Sequence, residues 1–243
     1  MSKKSRTTDR AARAAAALAE QQRQERRRRN LMVGGVVLAL LVIVAGGYLL
    51  SRNLDTTNDV SASAAGSDFG LTIGPADAPR EVVIYEDFLC PFCGELERAT
   101  RDDLAQLADD GKVRVEYRPF NLLSSISDYS ERSAGAFSIV LEESGPEVAK
   151  EFHDLLYENQ PSESGPFPEN SDLVDLAVQA GADEAAVRDA IENEEGQQWV
   201  DDATQAAQDA GVRSTPTILL DGEVFQDGRT IDQIADNLIS ELQ

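Results

Sequence analysis

Val82-Val83-Ile84-Tyr85-Glu86-Asp87-Phe88-Leu89-Cys90-Pro91-Phe92-Cys93 is the stretch on which the reading of this chain turns. The run Glu81–Tyr85 carries the β-branched apolar residues of a buried strand. A helical pattern starts at Pro91 and runs to about Leu107, with Leu96, Leu104 and Leu107 on one side and Asp109-Asp110-Gly111 as a stop. The chain's only two cysteines therefore lie across a strand-to-helix turn. A helix start aims free N–H groups and the positive end of its dipole at the first sulfur. That favours the thiolate, which is both the better nucleophile and the better leaving group. Pro91 suits a first helical turn, where its missing N–H costs nothing. Two inert buried thiols are disfavoured by the spacing. A zinc site needs about four ligands, whereas the chain offers two Cys and one distant histidine, His153. A structural disulfide would close a tiny loop and stabilise little. The expectation is a dithiol/disulfide centre with no metal or cofactor.

Working outward, Phe69–Ile73 reads as a short edge strand ended by Gly74-Pro75, and Val113–Tyr117 alternates apolar and charged residues as a second strand should. Residues 124–210 lack strand signals. Ser130–Glu143, Pro146–Asn159, Ser171–Ala180, Asp183–Asn193 and Gly196–Ala210 have helical spacing, with a loop at Pro161–Pro168. This is too long for a connection. Thr217–Leu220, Asp221-Gly222 and Glu223–Phe225 form a hairpin pattern. A last helix follows from about Thr230 to Leu242, with Ile231, Ile234, Leu238 and Leu242 at core spacing.

The N-terminal part bears on compartment. Residues 1–30 hold ten Lys and Arg against three Asp and Glu, ending in Arg26–Arg29. Leu31–Leu50 is an uncharged apolar run of twenty residues, long enough to cross a bilayer core of ~30 Å as a helix. It is too long for a cleaved signal segment, so an uncleaved signal-anchor is expected. The Arg cluster places residues 1–30 in the cytoplasm, residues 51–67 form a polar tether, and the domain over 68–243 lies outside, where disulfides persist. Residues 53–243 carry eleven Lys and Arg against forty-one Asp and Glu. That acidity argues against nucleic acid, whose phosphates demand cations, and reads as a solubilising surface.

The order strand, Cys-x-x-Cys helix, strand, helical block, hairpin and helix resembles the thioredoxin superfamily, and more narrowly its DsbA-like group. In that group a helical domain is inserted into an α/β thioredoxin core. The resemblance covers about residues 68–243, with the insertion at about 124–210. Its second motif is Ser214-Thr215-Pro216-Thr217, and the 123 residues between Cys93 and Pro216 leave room for the insertion. The resemblance implies that Pro216 is cis and lies against the cysteines, and that the backbone of Thr215 receives the substrate chain. It implies an enzyme, a thiol:disulfide oxidoreductase, with Cys90 the more exposed sulfur that a substrate thiolate attacks and Cys93 the resolving thiol. Its substrates would be exported or unfolded proteins with thiols, and a membrane partner of the DsbB or VKOR type would reoxidise it.

Phe92 departs from the best-known relatives, which have His there. It offers no cation and no donor, so a less depressed Cys90 pKa and a weaker oxidant are expected. Ile84 stands where many relatives have an acid. Glu86 and Asp87 are expected to be solvated, His153 to lie on the surface and Trp199 to pack in the helical block. Phe88, Leu89, Phe92 and Phe120 are candidates for an apolar rim, with core packing the competing reading for Phe88 and Phe120. The same cysteines would serve a reductase or isomerase, and a non-catalytic tethered binding domain is a third reading.

Overall fold

The structure is a computed structural model and describes residues 69–243. The basic tail of 1–30, the membrane helix of 31–50 and the tether of 51–67 are expectations that lie outside those residues. Among the described residues, no helix is long and apolar enough to cross a membrane.

The sheet is built around β2 (Arg80–Glu86). It pairs in parallel with β3 (Val113–Pro119) on one side and antiparallel with β4 (Thr217–Leu220) on the other. The full order is β1-β3-β2-β4-β5, with β1 (Leu71–Ile73) and β5 (Glu223–Val224) at the edges. Both faces of β2 are covered, which is why it reads as an unbroken apolar run. Val82 and Ile84 enter the larger core with Val115 and Tyr117. Val83 and Tyr85 face the other way, onto Phe120, Ala207, Val212 and Leu219. The alternation expected in β3 holds, but its charged face is not solvated. Glu116 is buried and accepts from Arg118 Nε at 2.7 Å, and Arg118 Nη1 donates to Tyr85 Oη at 2.7 Å. Arg114 pairs with Glu81 on the same face.

The hairpin turns at Asp221-Gly222, both with positive φ (52° and 84°), the conformation that makes Asp-Gly a hairpin signal. Arg80 Nε reaches Asp221 at 2.7 Å and ties this turn to the start of β2.

The first helix, α1 (Pro91–Asp109), buries Cys93, Leu96, Leu104 and Leu107 and packs on α7 (Ile231–Leu242). Each fully buried leucine contributes about 1.5–3 kcal/mol of transfer free energy. The insertion consists of α2 (Tyr129–Ser144), α3 (Pro146–Glu158), α4 (Asn170–Gln179), α5 (Glu184–Glu192) and α6 (Gln197–Asp209). Helix α2 packs against each of the other four. Its small residues Ser133, Ala134, Gly135 and Ala136 are all buried and let neighbours approach. Helix α3 reaches back to α1 and β1, and its His153 meets Glu86 at the end of β2 that leads to the cysteines. Trp199 packs within the block against Phe137, and also against Phe69, with ring centroids 6.1 and 5.9 Å away.

Candidate active site

Cys90 is the N-cap of α1 and Pro91 its first residue. Cys90 N donates to Asp87 O at 2.9 Å, while Cys90 O accepts from Cys93 N at 3.1 Å and Gly94 N at 3.2 Å. Both cysteines are free thiols and both are buried.

Because β4 runs antiparallel to β2 with Thr217 opposite Tyr85, Thr215 and Pro216 arrive at the sheet end where β2 gives way to α1. The Thr215-Pro216 bond is cis, and Thr215 O lies 3.4 Å from Cys90 Sγ. Phe92 is 56 % exposed beside it. Cys90, Cys93, Thr215 and Pro216 are thus brought together at one place, with Phe92 at its outer edge.

The two thiols are electrostatically unequal. Cys90 is lowered from 9.0 to about 6, first by a hydrogen bond from the Cys93 side chain. Burial opposes this, and the Thr215 side chain and the N–H groups of Cys93 and Phe92 reinforce it. The depression therefore arises without a cation at Phe92. Cys93 is pushed well above its ordinary value by burial, by its bond to Cys90, and by the charges of Cys90 and Glu86.

Three expectations are corrected. Glu86 and Asp87 are buried, not solvated: Asp87 Oδ1 accepts from Leu89 N at 2.8 Å. Its Oδ2 accepts from Leu122 N at 2.8 Å, Leu123 N at 2.9 Å and Ser130 Oγ. Burial raises its pKa and these bonds oppose the rise. Asp87 thereby staples the approach to Cys90 onto the loop after β3 and the start of α2. Leu89 is buried and forms no rim, while Phe88 and Phe120, also buried, take the competing reading of core packing. Phe88 packs on Phe137, Tyr157 and His153.

The third correction is His153, which is 0 % exposed, with Nε2 2.6 Å from Glu86 Oε1; Glu86 itself is 2 % exposed. His153 Nδ1 lies 3.1 Å from Asp154 Oδ1 and 3.7 Å from Glu97 Oε1. Burial opposes the imidazolium, but Glu86, Glu97 and Asp154 outweigh it and raise His153 to about 9. Glu97 is raised to about 7 by burial, against the pull of His153 and Lys150. Asp154, also partly desolvated, is held well below the usual carboxylate range by His153 and Lys150. Glu97, His153 and Asp154 offer donor atoms within 4.8 Å of one another. Lys150 Nζ already sits on both carboxylates, 3.5 Å from Glu97. A dication there would have to displace it.

His153 was findable in part. It follows Ala149 by four residues and precedes Leu156 by three, so it lies on the buried face of α3. Its partner Glu86 is 67 residues away, and no local pattern announces the pair. Gln160, whose side chain contacts the cysteine turn, carried no sequence signal at all.

A family model described as thioredoxin matches residues 67–239. The chain is similar to the solved reduced form of a disulfide bond oxidoreductase, DsbG, from Mycobacterium tuberculosis, at 29 % identity and a TM-score of 0.62, covering 73 % of this chain and 88 % of that one. It is also similar to the oxidised DsbA of the same organism, at 28 % identity and a TM-score of 0.59, covering 71 % and 90 %. Among curated proteins, the Na(+)/H(+) antiporter NhaA 3 of Salinispora tropica is 32 % identical over 149 residues, which are 61 % of this chain and 21 % of that protein. The chain spans about a fifth of the length of the curated relatives it matches.

Proposed function

The chain belongs to the thioredoxin family, and from that premise we propose that it is an extracytoplasmic thiol–disulfide oxidoreductase that oxidises cysteine pairs in exported proteins. The observation that carries this reading is the asymmetry of the two thiols. Cys90 is lowered to about 6 at a helix N-terminus, and Cys93 beside it is kept protonated. The solved relatives named as DsbA and a disulfide bond oxidoreductase support the same chemistry.

In the oxidised protein a substrate thiolate attacks Cys90 Sγ. The bond from substrate sulfur to Cys90 forms and the Cys90–Cys93 bond breaks. Cys93 leaves as a thiolate and takes up a proton, because burial and the Glu86 carboxylate disfavour its charge. A second substrate thiolate attacks the substrate sulfur of the mixed disulfide. The substrate disulfide forms, and the electron pair stays on Cys90, the better leaving group. Two electrons pass from substrate to protein and one proton is taken up. Thr215 O, beside Cys90 Sγ, receives the substrate backbone, and exposed Phe92 meets its apolar side chains. Residues 31–50 anchor the domain outside the cytoplasm, near a DsbB- or VKOR-type membrane partner that removes the electrons. With Phe92 in place of His, the centre is a weaker oxidant than its His-containing relatives.

The test is the full chain carrying Cys93→Ser, which has no neighbouring thiol to attack Cys90 and close a mixed disulfide back to the Cys90–Cys93 bond. It should accumulate DTT-sensitive adducts with exported proteins through Cys90. Their absence, or equal function in Cys90→Ser, overturns the enzymatic reading. Equilibration of the wild type with glutathione sets direction: a potential more reducing than the glutathione pair points to a reductase, and one as oxidising as the His-containing enzymes refutes the effect assigned to Phe92.

A further inference from the structure

The helical insertion contributes one side chain to the cysteine turn. Helix α3 ends at Glu158, and two residues later half-buried Gln160 turns inward. Its Nε2 donates to Phe88 O at 2.9 Å and to Cys90 O at 2.9 Å. Both partners are carbonyls, so the amide nitrogen must be the atom that faces them. These carbonyls belong to the peptide planes on either side of Leu89 and Cys90. Pinning both fixes the backbone that carries Cys90 Sγ.

The opposite side of the carboxamide is equally confined. A Cβ on Gly94, in the first turns of α1, would fall 2.2 Å from Gln160 Oε1 and 3.1 Å from its Cδ. The helix therefore needs glycine there for the carboxamide to reach across. Cys90 O collects the Cys93 and Gly94 amides and Gln160 Nε2 together, whereas Phe88 O receives the other Gln160 hydrogen.

We propose that Gln160 is a positioning residue of the redox turn, delivered by the helical insertion, which clamps the carbonyls of Phe88 and Cys90 and holds Cys90 Sγ against the α1 N-terminus and Thr215. The role rests on the reading of Cys90 as the reacting sulfur. Two effects of losing the clamp share one sign. The freed turn lets Sγ leave the N–H groups that favour its thiolate, and two N–H dipoles beside Cys90 disappear. Either weakens the ionisation of Cys90.

The experiment titrates Cys90 in the reduced full chain by pH-dependent alkylation, Cys93 staying protonated across the range. Gln160→Met keeps length and packing but cannot donate. It should shift half-ionisation upward, the ionisation constant falling about 3- to 10-fold, the range of one lost neutral hydrogen bond. Gly94→Ala must push the same carboxamide aside and should shift the titration in the same direction. The double variant should shift no further than the larger single, because both remove one clamp. A wild-type titration in Gln160→Met overturns the proposal even if its melting temperature falls, since a merely structural glutamine would lower stability alone. Additive shifts overturn it as well. If Gly94→Ala does not fold, Gln160→Met decides. The titration uses no substrate, so a failed trapping experiment with a shifted titration would sink the exchange reading and leave the clamp standing.

Discussion

Replacing His153 with leucine should be one of the most destabilising single changes in this domain. The imidazole is wholly buried, and the Glu86 carboxylate 2.6 Å from it is 2 % exposed. Lys150 cannot take over, because it already serves Asp154 and Glu97. His153→Leu therefore leaves Glu86 desolvated and unpaired. Removing one partner of such a pair costs about 3–5 kcal/mol. In a domain of this size, a shift of ~2–4 °C per kcal/mol translates that into a fall of about 6–20 °C in melting temperature. The assay is urea unfolding followed through Trp199, the only tryptophan, which packs between Phe69 and Phe137. Adding Glu86→Met, close in shape and uncharged, should restore much of the loss, since an apolar replacement of a buried pair is often neutral. A single-variant loss below about 1 kcal/mol, against the range for a broken buried pair, would refute the reasoning. So would a double variant as unstable as the sum of the two singles.

Other outcomes follow from the same geometry. His153 is raised from 6.5 to about 9, so its contribution to stability is whole below pH 6.5 and is lost as pH rises through 9. Glu97, raised from 4.5 to about 7, adds a fall in the same direction between those values. Cys90, lowered from 9.0 to about 6, acts oppositely and only when reduced: its contribution is present above 9 and lost as pH falls through 6. The stability of the oxidised form should therefore decline from pH 6.5 to 9, and the reduced-minus-oxidised difference should grow over that range, measured by paired urea titrations; a constant difference would show that Cys90 is not depressed. Asp87→Asn puts a donor where the carboxylate oxygens accept four hydrogen bonds, and should cost about 2–4 kcal/mol with faster hydrogen exchange at Leu122 and Leu123. Phe92→Ser, at an exposed site, should change stability by no more than about 0.5 kcal/mol, yet slow exchange with a thiol peptide flanked by apolar residues more than with a polar one. Equal slowing would remove Phe92 from the substrate surface.

What the sequence determined by itself was whatever is local. Period-2 and period-3.6 patterns placed the strands and helices, because each element's own residues choose its buried side. The expected strand at Glu81–Tyr85 spans Arg80–Glu86, and the five expected helices of the insertion agree with α2–α6 to within a residue at each end. Cys90 at the start of α1 was legible for the same reason, since a helix N-terminus and its proline are a short-range pattern. What only the tertiary structure decided were the burial and partnering of charges. Glu86, Asp87, Glu97 and His153 look like surface residues one at a time, as does the charged face of β3. They are tolerated inside because partners from other elements neutralise or hydrogen-bond them, and those partners lie tens of residues away. Leu89 reads as a rim and Phe88 as rim or core until the fold buries both, Phe88 against Phe137, His153 and Tyr157 of the insertion. Gln160 and Gly94 acquire meaning only as a pair, 66 positions apart, because a close approach is a property of two surfaces. The sequence placed the sulfur, and the packing around it decided how readily it loses its proton and what holds it in place.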